Sequence, residues 1–193
     1  MYTVPASPPE LVTERLILRM GAAADIPAIV QFFINNRDYL KPFWEPGPPE
    51  YYQPAGWEKR LAGDRERFGK DEALRLFIIT KEDAAQVIGS IEYNAIRRGP
   101  VQHCHLGYYL AEQAQGKGYA AEAVRAANDY VFTTLNLHRI MANYMPRNQH
   151  SGSLLKRLGF TVEGYARDFL MHNGVWEDHL LTSLTNTGWQ PAA

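Results

Sequence analysis

Hydrophobic and polar residues recur along the chain with two periods, one typical of strands and the other of helices. Apolar and polar side chains alternate across residues 11–19, which predicts a first strand. Further extended segments are predicted at residues 74–80, 87–94, 104–110, 140–145, 165–171 and 175–184. The last two flank Asn173-Gly174, a strong signal for a β-hairpin.

Four helices are predicted between these strands. In the longest, residues 119–135, apolar side chains recur every three or four positions and form one buried stripe. That stripe consists of Ala120, Val124, Ala127, Val131 and Leu135. The first helix follows Asp25 as its N-cap, with Pro27 just inside it. The others cover residues 57–68 and 151–158, and Gly159 is expected to end the last one.

The order of these elements predicts a mixed α/β fold. Its sheet should be mostly antiparallel, with one strand–helix–strand crossover at the centre. We expect a single domain over residues 1–193, with a core at about residues 10–188, because a chain of this length can bury a sizeable core.

Residues 41–54 hold five prolines, which predicts a stiff loop without regular structure. The loop also holds four aromatic residues, Phe43, Trp44, Tyr51 and Tyr52. They either pack the first helices onto the sheet or form one wall of a binding pocket, since long loops often carry binding surfaces.

Composition excludes several classes of function. The net charge of −1 gives no reason to expect direct contact with nucleic acid. The single cysteine, Cys104, excludes an intramolecular disulfide and suits a reducing compartment. The first residues lack the pattern of a signal peptide, and no apolar run approaches the roughly 18 residues of a membrane span. We therefore expect a soluble cytoplasmic protein without a membrane partner; no pattern in the sequence indicates its oligomeric state.

The most informative segment is Gln113-Ala-Gln-Gly-Lys-Gly118, which lies between a predicted strand and the start of the longest helix. A glycine turn at a helix N-terminus binds anions, because unpaired N–H groups converge there and the helix dipole adds roughly half a positive charge. Gly116 and Gly118 let a phosphate approach without meeting a Cβ. The segment therefore predicts a ligand that carries phosphate.

Two common phosphate motifs fit this segment poorly. A Walker loop needs Ser or Thr after its lysine, and here Lys117 is followed by Gly118. The dinucleotide fingerprint is matched over residues 116–121, but it requires an acid at the end of the next strand. That strand ends in Asn143-Tyr-Met-Pro-Arg-Asn148, which contains no acid.

Gln113, Gly116 and Gly118 instead resemble the pyrophosphate loop of the GNAT N-acetyltransferases, Gln/Arg-x-x-Gly-x-Gly/Ala. Residues 148–160 resemble the second cofactor element of that superfamily. Residues 13–19, 138–146 and 163–168 resemble its RimJ/RimL branch, so the likeness extends over about residues 10–190. The resemblance implies the GNAT fold, with two parallel strands that splay apart at the cofactor site.

The resemblance also implies the cofactor and its contacts. Acetyl-CoA would place its pantetheine arm between the splayed strands, against the strand edge Tyr108-Tyr109-Leu110, with no metal required. Its pyrophosphate would lie over the segment Gln115, Gly116, Lys117, Gly118, Tyr119 and Ala120. Lys117 either adds a direct charge contact or is a solvated turn residue. Asn148 would orient the pantetheine, unless it is simply a turn residue.

The chemistry needs a polarised carbonyl and a donor for the leaving thiolate. The resemblance implies a backbone N–H near Leu110 as the oxyanion donor. Many relatives use a tyrosine as the acid at a position that is Leu155 here, so that role is excluded. Ser151 falls where the RimJ/RimL branch has a serine proposed to contact the sulfur, and it also fits a helix N-cap.

The general base is less defined, because a glutamate proposed for it in a relative corresponds to Leu170 here. Glu92, Glu45, Asp168 and His105 remain candidates, with Glu92 slightly favoured over Glu45. A weak base suffices for an α-amine with a pKa of about 7.8, which costs only about 1 kcal/mol to deprotonate at neutral pH.

The resemblance implies acetylation of a protein's N-terminal α-amine, and the expected partner is a small-subunit ribosomal protein with an N-terminal alanine. Trp44 and Glu45 are the expected acceptor contacts. The alternatives are a small amine, such as a polyamine, amino acid or aminoglycoside, and a non-catalytic module that binds acyl-CoA. His103 and His105 share a strand face, but no third metal ligand is evident nearby, so no metal is predicted.

Overall fold

The computed structural model describes residues 2–44 and 47–191, whose eight strands form one mixed sheet. The strands are β1 (Glu10–Val12), β2 (Leu16–Arg19), β3 (Leu74–Thr80), β4 (Val87–Arg97), β5 (His103–Leu110), β6 (Arg139–Tyr144), β7 (Thr161–His172) and β8 (Val175–Thr185). Their order is β1-β2-β3-β4-β5-β6-β8-β7. Every neighbouring pair is antiparallel except β5 with β6, which confirms the predicted sheet.

In the described residues, five helices pack on the two faces of this sheet. They are α1 (Ile26–Asn35), α2 (Arg37–Leu40), α3 (Pro54–Gly69), α4 (Tyr119–Thr133) and α5 (Gln149–Arg157), accompanied by short 3₁₀ turns at Ala23–Asp25, Pro49–Tyr52 and Glu112–Ala114. Within the described residues, no helix has both the length and the apolar character to cross a membrane.

The hydrophobic core has two layers, one on each face of the sheet. Alternate residues of β4, such as Ile91 and Tyr93, lie in the layer beneath α4. Phe77 and Ile79 of β3 lie in the opposite layer, beneath α1 and α3. The stripe predicted for this helix lies in the first layer, although Ala120 is only half-buried and Leu135 lies beyond the end of α4.

The single first strand predicted at residues 11–19 is wrong. The segment forms two short strands, β1 and β2, which fold back on each other in an antiparallel pair. Thr13 makes the turn, because its N–H donates to the carbonyl of Leu16 at 3.0 Å and its hydroxyl accepts from the N–H of Leu16 at 3.0 Å. Alternation alone does not reveal such a turn, because both strands keep the same period.

Two further local predictions need correction. Asp25 is the N-cap of α1 by position, but its carboxylate binds Arg19 at 2.6 and 2.7 Å instead of capping the helix. The proline-rich loop is partly regular, since it contains the 3₁₀ turn Pro49–Tyr52 and its last proline, Pro54, begins α3. Proline is accepted in the first turn of a helix, where no N–H partner is lost.

The hairpin and the end of α5 form as predicted. Asn173 and Gly174 have positive φ angles of 51° and 79° and connect β7 to β8. Gly159 follows Leu158, the C-cap of α5, and has a φ of 86°, which is the left-handed conformation that ends helices.

Candidate active site

The glycine turn lies between β5 and α4, as the sequence predicts. Gly116 and Gly118 adopt φ angles of 73° and 81°, and Gly118 is the N-cap of α4. A Cβ on Gly116 would meet nothing within 4 Å, and one on Gly118 would approach only Arg15, at 3.4 Å. The turn therefore leaves open space beside a helix N-terminus, where an anion is favoured.

Arg15, in the connection between β1 and β2, contacts this turn and stabilises it. Its guanidinium donates to the carbonyl of Lys117 at 2.9 Å and lies over the ring of Tyr119 at 4.7 Å. It also forms an ion pair with Glu122 of α4 at 2.6 Å. Burial alone would raise the pKa of Glu122, but hydrogen bonds from Thr13 and Arg15 lower it. Sequence reasoning missed this role, since Arg15 and Lys117 are 102 positions apart.

The two parallel strands separate as they approach the glycine turn. β5 and β6 pair over only three positions, from His103 with Arg139 to His105 with Met141. The following residues of β5 have no partner on β6, so the strands form a V-shaped opening. This is the splayed pair that the resemblance implies.

Backbone groups of β5 point into that opening. The N–H of Ala111 donates to the carbonyl of Ile88 on β4 at 2.8 Å. Because hydrogen-bonded and non-bonded pairs alternate in an antiparallel ladder, Tyr108 and Leu110 direct their N–H and C=O groups away from β4. Gln115 confirms this direction for Leu110, since its side-chain amide donates to that carbonyl at 3.2 Å.

The start of α5 forms the other side of the opening. Asn148, not Ser151, is the N-cap of this helix, because its side-chain oxygen accepts from the N–H of Ser151 at 3.2 Å. The N-cap interpretation of Ser151 is therefore wrong, and the simple turn interpretation of Asn148 is incomplete. The hydroxyl of Ser151 instead lies 2.9 Å from the hydroxyl of Tyr108 on β5. Burial raises the pKa of Tyr108 to about 12, despite an opposing effect of this hydrogen bond.

Aromatic side chains fill the opposite face of the sheet, next to the opening. Trp44 lies 5.4 Å from Phe33 of α1 and 5.9 Å from Tyr109 of β5, measured between ring centroids. Burial raises the pKa of Tyr109, so its hydroxyl stays protonated. The packing interpretation of the aromatic loop is thus confirmed for Trp44, which packs α1 onto the sheet, and its role as a wall of the binding pocket stays a prediction. Glu45, the second expected acceptor contact, lies outside the described residues.

The β7–β8 hairpin reaches the start of the aromatic loop. The side-chain amide of Asn173 donates to the carbonyl of Lys41 at 3.0 Å. Arg147, between β6 and α5, donates to the carbonyl of Pro42 at 2.8 Å and pairs with Glu177 of β8. The loop is thereby held between α1 and the hairpin.

Glu92 lies on β4, on the same face as Tyr109, within a cluster of charges. One carboxylate oxygen accepts from Arg75 at 2.7 Å and the other from Arg67 at 3.2 Å. Arg75 is nearly buried and also faces Asp64 at 3.7 Å. Burial raises the pKa of Asp64, although Arg75 and Arg67 lower it. The two acids and two arginines balance, so the cluster carries no net charge.

The two histidines considered as metal ligands are neighbours on β5. The rings of His103 and His105 lie 5.8 Å apart, and burial lowers the pKa of both. In the part of the chain that the structure describes, no group of three or more His, Cys, Asp or Glu side chains is arranged to hold a metal.

This geometry agrees with a family match. The model of the acetyltransferase (GNAT) domain matches residues 15–161, which include the glycine turn, both splayed strands and α5. The chain belongs to the GNAT family. It is therefore an acetyltransferase, with the mixed fold of that family.

Three relatives of this GNAT protein extend the comparison. The ribosomal protein uS5-alanine N-acetyltransferase of Escherichia coli (strain K12) is 42% identical over 182 residues, which cover 94% of this chain and 93% of that protein. The crystal structure of the ribosomal-protein-S5-alanine acetyltransferase from Vibrio fischeri matches with a TM-score of 0.90 and 37% identity, over 95% of this chain and 100% of that one. RimJ of Mycobacterium smegmatis, solved in complex with CoA-disulfide, matches with a TM-score of 0.82 and 25% identity, over 93% of this chain and 86% of that one.

Proposed function

We propose that this enzyme transfers the acetyl group of acetyl-CoA to the N-terminal α-amine of a protein, and that its acceptor is a small-subunit ribosomal protein that begins with alanine. The observation that carries the proposal is the identity to the E. coli alanine N-acetyltransferase over nearly the whole of both chains. The likeness thus includes the aromatic acceptor side as well as the cofactor turn. A ribosomal acceptor implies that the enzyme works in the cytoplasm.

The cofactor turn and the strand opening fit the two halves of acetyl-CoA. Residues 115–120 would hold the pyrophosphate, because a Cβ on Gly118 would occupy space beside the helix N-terminus. Lys117 is exposed in the same turn, where it can add a positive charge. The outward N–H and C=O groups of Tyr108 would pair with the amides of the pantetheine arm, which leaves the N–H of Leu110 available to the thioester.

The reacting groups would meet at the narrow end of this opening. Acetyl-CoA supplies an activated acyl group as a thioester. The N–H of Leu110 points into the opening and is the proposed donor to the thioester oxygen. Ser151, at the start of α5, is the proposed hydrogen-bond donor to the leaving sulfur, and Asn148 fixes its backbone.

Glu92 is the proposed acceptor of the amine proton, directly or through water. It lies on the strand next to β5 and on the acceptor face, beside the buried hydroxyl of Tyr109. Both of its oxygens bind arginines, and a carboxylate is a weak base at neutral pH. Such a base suits an α-amine, whose deprotonation is about 3.5 kcal/mol cheaper than that of a lysine side chain.

The charges of the acceptor side favour a protein N-terminus over a polycationic small amine. In the charge cluster on this face, Arg67 and Arg75 balance the two acids Glu92 and Asp64. A site for a polyamine needs a net negative lining, because each added ammonium group must be matched. Glu50 and Glu58, the other acids considered for this role, are exposed.

Exposed apolar side chains at the rim also favour a large acceptor. Leu170, Met171 and Trp176 of the hairpin are 44%, 49% and 56% exposed, and Phe43 of the facing loop is 37% exposed. Met171 and Trp176 face each other across the hairpin and form one exposed apolar pair, and the hairpin tip contacts the start of the aromatic loop. Exposed apolar patches of this kind mark sites that bind proteins.

Mass spectrometry of ribosomal proteins tests the proposal. In a strain that lacks the gene, one small-subunit protein with N-terminal alanine should be lighter by the mass of one acetyl group. The wild-type gene should restore the acetyl group, and the Ser151→Ala variant, expressed at the same level, should restore much less of it. Unchanged masses of all N-terminal alanine proteins in the deletion strain would contradict the proposed acceptor.

A further inference from the structure

A pair of hydroxyl groups bridges the two sides of the V-shaped opening. Tyr108 lies on β5, on the α4 face, and its hydroxyl is 2.9 Å from Oγ of Ser151 at the start of α5. The carbonyl of Ser151 is a more distant partner, at 3.4 Å. The contact joins residues 43 positions apart, and Tyr108 lies beyond His105, the last residue of β5 that pairs with β6.

Either of the two hydroxyls can be the donor in this contact. The pKa of Tyr108 is raised to about 12, so its proton stays on the phenol oxygen at neutral pH. When Tyr108 donates to Oγ of Ser151, the serine proton is free to point to another acceptor. Asn148 limits the movement of Ser151, because it binds the N–H of the same residue.

We propose that Tyr108 is a positioning residue for acetyl transfer, whose hydroxyl donates to Oγ of Ser151 and thereby directs the serine proton towards the thioester sulfur. The inference rests on the proposed function and on the role of Ser151 within it. Donation from Tyr108 also polarises the serine hydroxyl, since hydrogen bonds in a chain strengthen one another.

In this step the amine nitrogen forms a bond to the acetyl carbon, and the carbon–sulfur bond breaks. The electron pair of that bond leaves with the sulfur, which Ser151 stabilises by its hydrogen bond. The amine loses one proton and the thiolate gains one, so the products are an amide and a thiol. Tyr108 keeps its own proton throughout, which is why it is a positioning residue.

A double-mutant cycle on the turnover number tests this proposal. Ser151→Ala should lower kcat by about 100-fold, within the usual range for a group that handles a proton in the transition state. Tyr108→Phe should lower kcat by about tenfold, the effect of one lost hydrogen bond. The double variant should be no slower than Ser151→Ala, because Tyr108 acts only through the serine. The KM for acetyl-CoA should change by less than about twofold.

Tyr93→Phe is the matched control. Tyr93 lies on the neighbouring strand β4, on the same face, and its buried hydroxyl donates to Asn128 of α4 at 2.6 Å. This variant loses a hydrogen bond between sheet and helix, as Tyr108→Phe does, but away from the start of α5. It should lower the Tm and leave kcat unchanged, so it separates a loss of stability from a loss of turnover.

Two results would overturn the proposal. Additive effects of the two substitutions on kcat would show that Tyr108 acts independently of Ser151. A kcat for Tyr108→Phe equal to that of Tyr93→Phe would show that the hydroxyl pair is only structural. The same double-mutant cycle can be measured on the hydrolysis of acetyl-CoA in the absence of an amine, because that reaction expels the same sulfur. Its result does not depend on which amine the enzyme accepts. A wrong acceptor assignment therefore leaves this test intact.

Discussion

The proposed cofactor side and the proposed acceptor side of the active site are built in different ways. Backbone geometry forms the cofactor side: two glycines with positive φ, an unpaired strand edge and the first turn of α4. Side chains from separate segments form the acceptor side, with Phe33 from α1, Trp44 from the loop and Tyr109 from β5. The two sides meet at β5, whose alternate residues face one or the other.

This difference explains how one family fold can serve many amines. A cradle made of backbone needs only small residues at a few positions, and it recognises the phosphates that every acetyl-CoA carries. A wall made of side chains changes with each substitution in a loop, while the sheet beneath it stays the same. Substitutions on the two sides should therefore have separable effects on the two substrates.

The largest effect is expected at the cofactor side, from Gly118→Val. Valine at a φ of 81° is strained, and its side chain would occupy the space beside the start of α4. The affinity for acetyl-CoA, measured by calorimetry, should fall by at least about 100-fold, which corresponds to about 2.7 kcal/mol.

Gly99→Val is the control for the strain itself. Gly99 has a φ of 72° and, like Gly116, open space around its Cβ position, but it lies in the connection between β4 and β5. This variant should lose similar stability and keep its affinity for acetyl-CoA. Equal affinities of the Gly118→Val variant and the wild type would remove the assignment of the pyrophosphate turn.

A smaller effect is expected at the acceptor side, from Trp44→Ala. Removal of the indole deletes contacts with Phe33 and Tyr109 that are worth about 1 kcal/mol beyond buried area. The KM for an alanine peptide should rise by about tenfold, and the KM for acetyl-CoA should stay within about twofold.

Trp189→Ala provides the comparison for this variant. Trp189 is also half-buried, but it contacts His138 and the carbonyl of Asn136 near the C-terminus. The Trp189→Ala variant should leave the KM for the alanine peptide and the KM for acetyl-CoA unchanged. An equal rise in both KM values for Trp44→Ala would show that the two sides are not separable.

Local signals were sufficient to predict most of the fold and the cofactor turn. The turns at Gly116, Gly118 and Asn173-Gly174 depend on the positive φ angles of those residues, so a few adjacent residues are enough to predict each turn. Thr13 was missed as a turn because its hydrogen bonds leave the alternation unchanged. The contacts of Arg15 with Lys117 and of Tyr108 with Ser151 join distant segments, and only the folded chain brings them together.

The central claim is that the enzyme acetylates an N-terminal α-amine. Its choice between an α-amine and a lysine side chain tests this claim most directly. A peptide with a free N-terminal alanine and one internal lysine offers both amines to the enzyme at equal concentration. Tandem mass spectrometry should find the acetyl group on the α-amine, in excess by a factor of several hundred, because about 3.5 kcal/mol separates the two deprotonation costs at neutral pH. Predominant acetylation of the lysine side chain would contradict the proposed acceptor and would require a stronger base than Glu92 between its two arginines.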